Sequence, residues 1–457
     1  MGAGVFGENR HWWLLGALSG VLGLTVLDET VVGVALPTIR SDLAMGQIAS
    51  HWVVNAYLLT FTCFVAVGGR LSDALGHGRV FLTGAVLFAI ASLAAGLAPS
   101  GNWLIAARAL QGMGAAIIFP TSMAMVTASF PPERRGTAFG VQTTVGGLFM
   151  SSGPLLGGLF AQVLSWRWIF LINLPIVIAI AFVVAIAWKP EAPGSKERSK
   201  KPFDLGGFLT LLLGLVALVV VLMQGTDWGW SDRWTLILLI GGLAVMACFV
   251  VIEVRRDEPL IELDLLAIKT FAGGTLAFFV FQFNKIIIFV FVALFLQEKL
   301  GRSPIESGLA VMIAVLPTLA TSIATGRLTD RFGARPPLIF GFALNGAAVV
   351  LIGLLSVYES YWLVLLPLVL WGATLPFASI PARRALMSAV PKAKQGQASG
   401  INLTIQMFGG TIGMALCGSI LAATGSYRAV FLLTGVLVLG TIGVIWALVE
   451  RERAETA

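Results

Sequence analysis

Apolar residues come in runs of about 20, separated by short polar stretches, along nearly the whole chain. A run of about 20 crosses roughly 30 Å of hydrocarbon as a helix. The runs predict fourteen helices: Trp12–Leu36, Ser50–Gly69, Val80–Leu97, Trp103–Ala128, Thr137–Val163, Trp168–Trp188, Leu205–Gln224, Trp234–Val254, Phe271–Leu296, Ile305–Gly326, Leu338–Leu355, Trp362–Ile380, Ala398–Ala423 and Tyr427–Val449. Trp and Tyr stand at many of these ends, as side chains anchored at the membrane–water interface do.

The polar positions carry a second pattern. Gly69-Arg70-Leu71-Ser72-Asp73-Ala74-Leu75-Gly76 returns 257 residues on (69 to 326) as Gly326-Arg327-Leu328-Thr329-Asp330-Arg331-Phe332-Gly333. Each copy is a short charged hinge between two apolar runs. A repeated hinge in a mostly apolar chain predicts two related membrane halves, the plan of many secondary transporters. The first copy follows the second span. The other follows the tenth, which is the second of six if the second half starts at Phe271. Residues 1–188 then form one six-helix bundle and 189–204 a cytoplasmic linker rich in Pro, Lys and Ser. Residues 205–254 form an inserted helix pair, and 255–457 a second six-helix bundle with a short tail.

Composition narrows the class. Charged residues are 12% of the chain, against roughly 25% in soluble domains. The expected fold is an all-α polytopic membrane protein without a sizeable soluble domain. The net charge of +7 does not point to nucleic acid, because the basic residues scatter over loops with no aromatic groove between them. Cys63, Cys248 and Cys417 lie inside apolar runs and suggest neither a disulfide framework nor a metal site. The first run is too long for a cleavable leader and no small-residue cleavage site follows it, so it is read as a span. No Gly-x-x-x-x-Gly-Lys-Ser/Thr segment supports an ATP-driven pump. With three His in the chain, a metalloenzyme is hard to build. No cofactor is expected, and the chain is not read as an enzyme.

Loop charge sets the expected orientation. With both termini in the cytoplasm, about 22 of the 30 Lys and Arg fall in inner loops and about 6 in outer ones. Arg134-Arg135, Lys196 to Lys201, Arg255-Arg256 and Arg383-Arg384 are read as topology signals and anionic-lipid contacts. The remaining two cations, Arg108 and Lys285, lie within helices, as do Asp28 and Glu29. Charges in hydrocarbon cost a few kcal/mol and persist where they have a partner or a task. Taking a carboxylate out of water favours its protonated form, which suits a reversible proton carrier. Glu29 is about 100° around the helix from Asp28, so the two face different surroundings; it is read as binding substrate or a proton, or else as lying near the outer water.

Several ordered motifs then resemble one family. Leu27-Asp28-Glu29-Thr30-Val31-Val32-Gly33-Val34-Ala35-Leu36-Pro37 is similar to Leu-Asp-x-Thr-x-Val-Asn-Val-Ala-Leu-Pro, with Gly33 in place of Asn. Trp52-Val53-Val54-Asn55-Ala56-Tyr57-Leu58-Leu59, Arg108-Ala109-Leu110-Gln111-Gly112-Met113-Gly114-Ala115-Ala116, Gly153-Pro154-Leu155-Leu156-Gly157-Gly158 and Trp166 to Pro175 follow in order. The chain thereby resembles the major facilitator superfamily, and within it the fourteen-helix drug:proton antiporters. The resemblance implies two six-helix bundles plus two inserted helices. It also implies proton-coupled export of small hydrophobic or amphipathic compounds by alternating access.

On that reading Asp28 and Arg108 couple the proton, with Asp28 the expected partner of Arg108. Glu29, Asn55, Tyr57, Gln111, Asn284, Lys285, Asn402 and Gln406 are candidates to line the substrate cavity. Two sets of residues are expected to gate. The hinge set is Gly69, Arg70, Asp73, Gly76 and Arg79, with Gly326, Asp330, Arg331 and Gly333. Its Asp lies against an Arg or a helix N-terminus, and its glycines allow a tight turn and close helix approach. His77 is read as a loop histidine of the first hinge. The other set is Gly153, Pro154, Gly157 and Gly158, a kinked close-packing face associated with exporters; Phe149 replaces a glycine of that longer pattern. Lys285 matches no family motif. It pairs with Asp28 or Glu29, meets an acidic group of the substrate, or is structural. The partners expected are a small-molecule substrate, protons and the bilayer, with the chain a monomer in the cytoplasmic membrane. A dedicated exporter of an endogenous metabolite, lipid or antibiotic, a proton symporter, and a non-transporting sensor remain as alternatives.

Overall fold

The computed structural model describes residues 9–188, 204–256, 259, 262–391 and 394–450, without the side chains of Asp73, Pro132, Glu133, Gly136 and Gly396. The predicted linker, apart from Asp204, and the tail from Arg451 lie outside the described residues. Within them are fourteen helices long and apolar enough to cross a membrane. They are α1 (Arg10–Asp42), α2 (Gln47–Leu75), α3 (His77–Gly96), α4 (Gly101–Ser129), α5 (Pro132–Val163), α6 (Trp168–Ala187) and α7 (Leu205–Trp228). The remaining seven are α8 (Arg233–Arg255), α9 (Lys269–Glu298), α10 (Pro304–Phe332), α11 (Arg335–Leu355), α12 (Tyr361–Ser388), α13 (Gln395–Thr424) and α14 (Tyr427–Leu448).

The number of spans matches the apolar runs, but several boundaries move. Helix α1 continues through Pro37 to Asp42 rather than stopping at Leu36. A proline costs a membrane helix little where neighbouring helices re-satisfy the freed backbone. The extension places Asp28 and Glu29 in the helix interior, and Glu29 is buried rather than at the water. The first hinge is mostly helix as well. Helix α2 runs to Leu75, and the chain turns at Gly76 alone, with φ +94°. Gly333 makes the matching turn between α10 and α11 with φ +77°. Both backbones lie where only glycine is unstrained. His77 is therefore not a loop residue. It opens α3, is buried, and lies 2.6 Å from the Ser72 hydroxyl through Nδ1.

Three helices are irregular. Helix α6 breaks at Ile172, between Trp168–Leu171 and Asn173–Ala187. Helix α10 is interrupted at Leu316, ahead of Pro317. Helix α9 carries a π-turn at Ile288–Val292, a distortion common at functional sites.

Contacts divide the chain into two compact units at Phe203/Asp204. In the first, α1 packs on α5, and α2 and α3 on α4. In the second, α9 packs on α13, α10 on α12, and α11 on α12 and α14. The inserted helices α7 and α8 pair with each other and belong to the second unit, where the Ser419 hydroxyl of α13 donates to the Leu222 carbonyl of α7.

The repeat reaches well beyond the hinge. A β-carbon at Gly112 of α4 would overlap the Tyr57 carbonyl oxygen of α2, and one at Gly372 of α12 would overlap that of Ala314 in α10. The glycines are 260 residues apart (112 to 372) and the carbonyls 257 (57 to 314), so one close crossing is built twice. Small residues let membrane helices approach this closely. Gly140 of α5, by contrast, faces open space. Gly112→Val and Gly372→Val should each lower thermal stability in detergent by an overpacking cost of about 1–3 kcal/mol or more, while Gly140→Val stays near wild type. Equal melting of all three would contradict the doubled crossing.

Candidate functional site

Asp28 lies at the centre of the first bundle, in the interior of α1, and both Asp28 and Arg108 of α4 are 1% exposed. Arg108 Nη1 donates to Asp28 Oδ2 at 2.5 Å and to Gln111 Oε1 at 2.6 Å, and its Nε donates to the Val53 carbonyl of α2 at 2.9 Å. Its guanidinium lies 4.4 Å from the Tyr57 ring centroid and 5.6 Å from that of Phe170. Gln111 Nε2 donates to Asp28 Oδ1 and to the Ser92 hydroxyl of α3, both at 2.9 Å. Asn173 Nδ2, where α6 resumes after its break, adds longer bonds to Ser92 Oγ at 3.4 Å and Asp28 Oδ1 at 3.5 Å. Five helices thus contribute to one cluster, and α4 and α6 bond the carboxylate of α1 directly.

The local sequence explains the convergence. Arg108 and Gln111 are three residues apart and share a helix face. The α6 break turns Asn173 inward. Helix α5 closes the far side of α1. A β-carbon at Gly153 would overlap the Thr30 hydroxyl, and one at Gly157 the Val31 carbonyl. The Gly-Pro face therefore packs against α1 within one turn of Asp28. Pro154 and Gly158 are buried beside it. Phe149, which departs from the family's glycine, fits because Gly23 is opposite: a β-carbon there would stand 2.8 Å from the ring.

The other predicted positions are dispersed. Tyr57 and Gln111 belong to the Asp28 cluster itself. Asn55 of α2 is fully buried, and neither of its amide atoms makes a hydrogen bond among the described residues. In the second bundle, Asn284 Nδ2 donates to Asn345 Oδ1 at 2.5 Å, and Asn345 Nδ2 donates to Thr374 Oγ1 at 2.8 Å and to the Trp371 carbonyl at 3.2 Å. Gln406 Nε2 donates to Gln282 Oε1 at 3.4 Å. Asn402 is buried, with Oδ1 unbonded among the described residues. Lys285 is 6% exposed, three residues before the π-turn of α9. The carboxylate of Asp28 is engaged by first-bundle groups.

At the second hinge, Asp330 accepts from Arg384 Nη1 of α12 at 2.9 Å, and the same nitrogen donates to the Thr329 carbonyl at 3.1 Å. Arg331 instead lies over the Phe332 ring. Arg384, expected to be a topology signal, is the partner of Asp330. Gly69 and Gly326 are not tight contacts: the nearest atom to a β-carbon at Gly69 is 3.9 Å away, and at Gly326 none lies within 4 Å. The close approach belongs to Gly68, where a β-carbon would stand 2.5 Å from the Ala116 carbonyl oxygen. In the first hinge Arg70 is half-buried and Arg79 exposed, and the Asp73 side chain lies outside the described residues.

Sequence reasoning also missed Ser92 and Asn173. Asn173 lies in a quoted motif and could have been flagged as an amide in an apolar run. Ser92 gave no such signal, because small hydroxyls are common in membrane helices. A cleft of about 470 Å³ lined by Trp12, Trp13, Gly16, Ala17, Ala179, Ile180 and Val183 opens between α1 and α6. Its walls are apolar and hold none of the Asp28 cluster.

This architecture has relatives. The sequence model of the Major Facilitator Superfamily matches residues 18–258 and 274–457. The chain belongs to the Major Facilitator Superfamily. Within it, the chain is 33% identical over 413 residues to the multidrug resistance protein Stp of Mycobacterium tuberculosis, covering 90% of this chain and 76% of that one. It is 30% identical over 416 residues to the tetracenomycin C resistance and export protein of Streptomyces glaucescens (91% and 77% covered). It is 35% identical over 409 residues to the cephamycin export protein CmcT of Amycolatopsis lactamdurans (88% and 83%). Among solved structures, a D-xylose–proton symporter superposes with a TM-score of 0.71 over 99% of this chain and 100% of that one, at 14% identity. At that identity the likeness is one of fold. Major facilitator architecture accounts for the repeated halves and the multi-pass membrane location.

Removing one partner of a buried ion pair costs about 3–5 kcal/mol, because the other charge is stranded. Arg108→Met should therefore melt well below wild type in detergent. Adding Asp28→Asn to it should recover most of the loss. Losses that simply add would show that the two residues do not act as a pair.

Proposed function

We propose that this Major Facilitator Superfamily member is a proton-coupled antiporter exporting small hydrophobic or amphipathic compounds by alternating access. The buried Asp28–Arg108 pair carries this reading. Ionised Asp28 holds Arg108 and Gln111 together across α1 and α4. A proton on Asp28 cancels its charge, and Arg108 keeps Gln111, the Val53 carbonyl and the Tyr57 ring face. Proton binding thereby loosens α1 from α4, and the small-residue face of α5 leaves α1 room to shift. The hinge bond between Asp330 and Arg384 joins α10 to α12 and breaks or forms as the second bundle changes state.

The proton enters from outside and leaves to the cytoplasm while the compound moves out. At a proton-motive force of about 150 mV, one proton supplies roughly 3.5 kcal/mol. That sustains a gradient of about 300-fold for an uncharged compound exported against one proton. No cofactor is required and no covalent chemistry is performed. Loop charge supports cytoplasmic termini, and one chain with two bundles is the working unit. The resistance and export roles in the relatives' names support the outward direction. A dedicated exporter with narrow specificity is the second reading, favoured by Lys285 and the buried amides of the second bundle.

Dye efflux from pump-deficient bacteria tests the proposal, with wild type beside Asp28→Asn, each with and without a protonophore. Wild-type efflux should fall to the background level with the protonophore and in Asp28→Asn, with equal protein in the membrane. Efflux by Asp28→Asn that still responds to the protonophore would remove Asp28 from the coupling path.

A further inference from the structure

The apolar cleft between α1 and α6 is bracketed by two contacts. A β-carbon at Gly20 of α1 would stand 3.3 Å from Ile180 Cδ1 of α6. Ten residues earlier in α1, Arg10 Nε donates to the Ala187 carbonyl at the end of α6, at 2.5 Å. Between these points the two helices part, and the cleft of about 470 Å³ opens there. Gly16 lines it, with no atom within 4 Å of where a β-carbon would lie. Val183 lines it from α6, and Trp12 and Trp13 line it from α1. Both tryptophans are exposed although large and apolar, which puts the cleft on the lipid-facing surface of the first bundle. Ten residues of helix rise about 15 Å, half of the roughly 30 Å of hydrocarbon in a bilayer. The cleft is therefore an apolar slot about one leaflet deep.

The polar end of the slot is cationic. Arg10 is half-buried, and among the described residues only its Nε is bonded, which leaves both Nη groups to donate. Arg10 is also the first residue of α1. The residue before it, Asn9, makes no side-chain cap, and the first turn holds no acid. The N–H groups of that turn carry the positive end of the helix dipole. No acidic residue occurs from Arg10 to Leu27 or anywhere in α6, so no carboxylate of either helix competes for this end. Tryptophans at the same level suit the headgroup boundary. A guanidinium and a helix N-terminus above an apolar slot fit a molecule with an anionic head and a long apolar tail.

We propose that the cleft is a binding site for an anionic phospholipid of the bilayer. One acyl chain lies along the slot between α1 and α6, and the phosphate meets Arg10 and the first turn of α1. With the termini in the cytoplasm, as proposed above, the lipid belongs to the inner leaflet. The test is native mass spectrometry of the purified full chain in detergent, titrated with phosphatidylglycerol or phosphatidylcholine, which reads the affinity of the first lipid bound. Wild type should bind phosphatidylglycerol about fivefold more tightly, the worth of one basic side chain near a lipid headgroup. Arg10→Gln, which retains an amide donor for the Ala187 carbonyl, should erase that preference with little change for phosphatidylcholine, and Arg10→Lys should keep it. Gly16→Phe, which fills the slot where there is room, should weaken both lipids severalfold. Equal affinities in wild type, a preference that survives Arg10→Gln, or first-lipid affinities unchanged in Gly16→Phe would each overturn the site. Displacement of the lipid by an exported dye, lost in Gly16→Phe, would also overturn it and give the cleft to the transported compound. Lipid binding is read without a proton gradient, so its failure is distinct from failure of proton-driven efflux.

Discussion

A charged carboxylate in the middle of a membrane helix must be satisfied by its neighbours, because no solvent is there to do it. In this protein that requirement organises the first bundle. Asp28 receives Arg108 and Gln111 at bonding distance. Arg108 in turn needs acceptors and ring faces, which α2 and α6 supply through Val53, Tyr57 and Phe170. Gln111 needs a further acceptor, which Ser92 of α3 provides. Each demand brings in another helix. On the proposed reading, the pair alternates between charge held and charge cancelled as the proton leaves and returns.

The same backbone plan is built twice and then given different chemistry. Gly112 and Gly372 make the same close crossing, and Gly76 and Gly333 the same left-handed turn. Backbone geometry is shared because the two bundles pack their helices alike. The side chains at the centre are not shared: Gln111 and Arg108 in one half stand where Trp371 and Leu368 do in the other. One bundle carries an acid with its own counter-charge. The other carries a chain of amides from Asn284 through Asn345 to the Thr374 hydroxyl.

Much of this was legible in the sequence, for physical reasons. Hydrocarbon thickness sets the length of every span, so fourteen apolar runs read directly as fourteen helices. Asp28 and Arg108 stood out because charges are rare inside such runs, and opposite charges in hydrocarbon seek each other. Helix ends were less legible. Nothing local stops α1 at Pro37 when packing continues on both sides, and the hinge motif looked like a loop although only Gly76 and Gly333 turn the chain. Arg384 was hidden among basic residues that also serve topology, and its bond to Asp330 joins residues 54 apart. Ser92 could not be singled out, since only the three-dimensional packing makes one hydroxyl among many the acceptor for Gln111.

The central claim is that the Asp28 cluster links proton and compound. Linkage is reciprocal, so a compound whose binding is favoured by ionised Asp28 must drive the proton off when it binds. The direct measurement adds an exported compound to purified protein in weakly buffered solution containing a pH-sensitive dye. Wild type should acidify the solution in proportion to the compound bound, and Asp28→Asn should bind without acidification. Equal proton release from Asp28→Asn, or binding by wild type with no release at any pH from acid to neutral, would contradict the account.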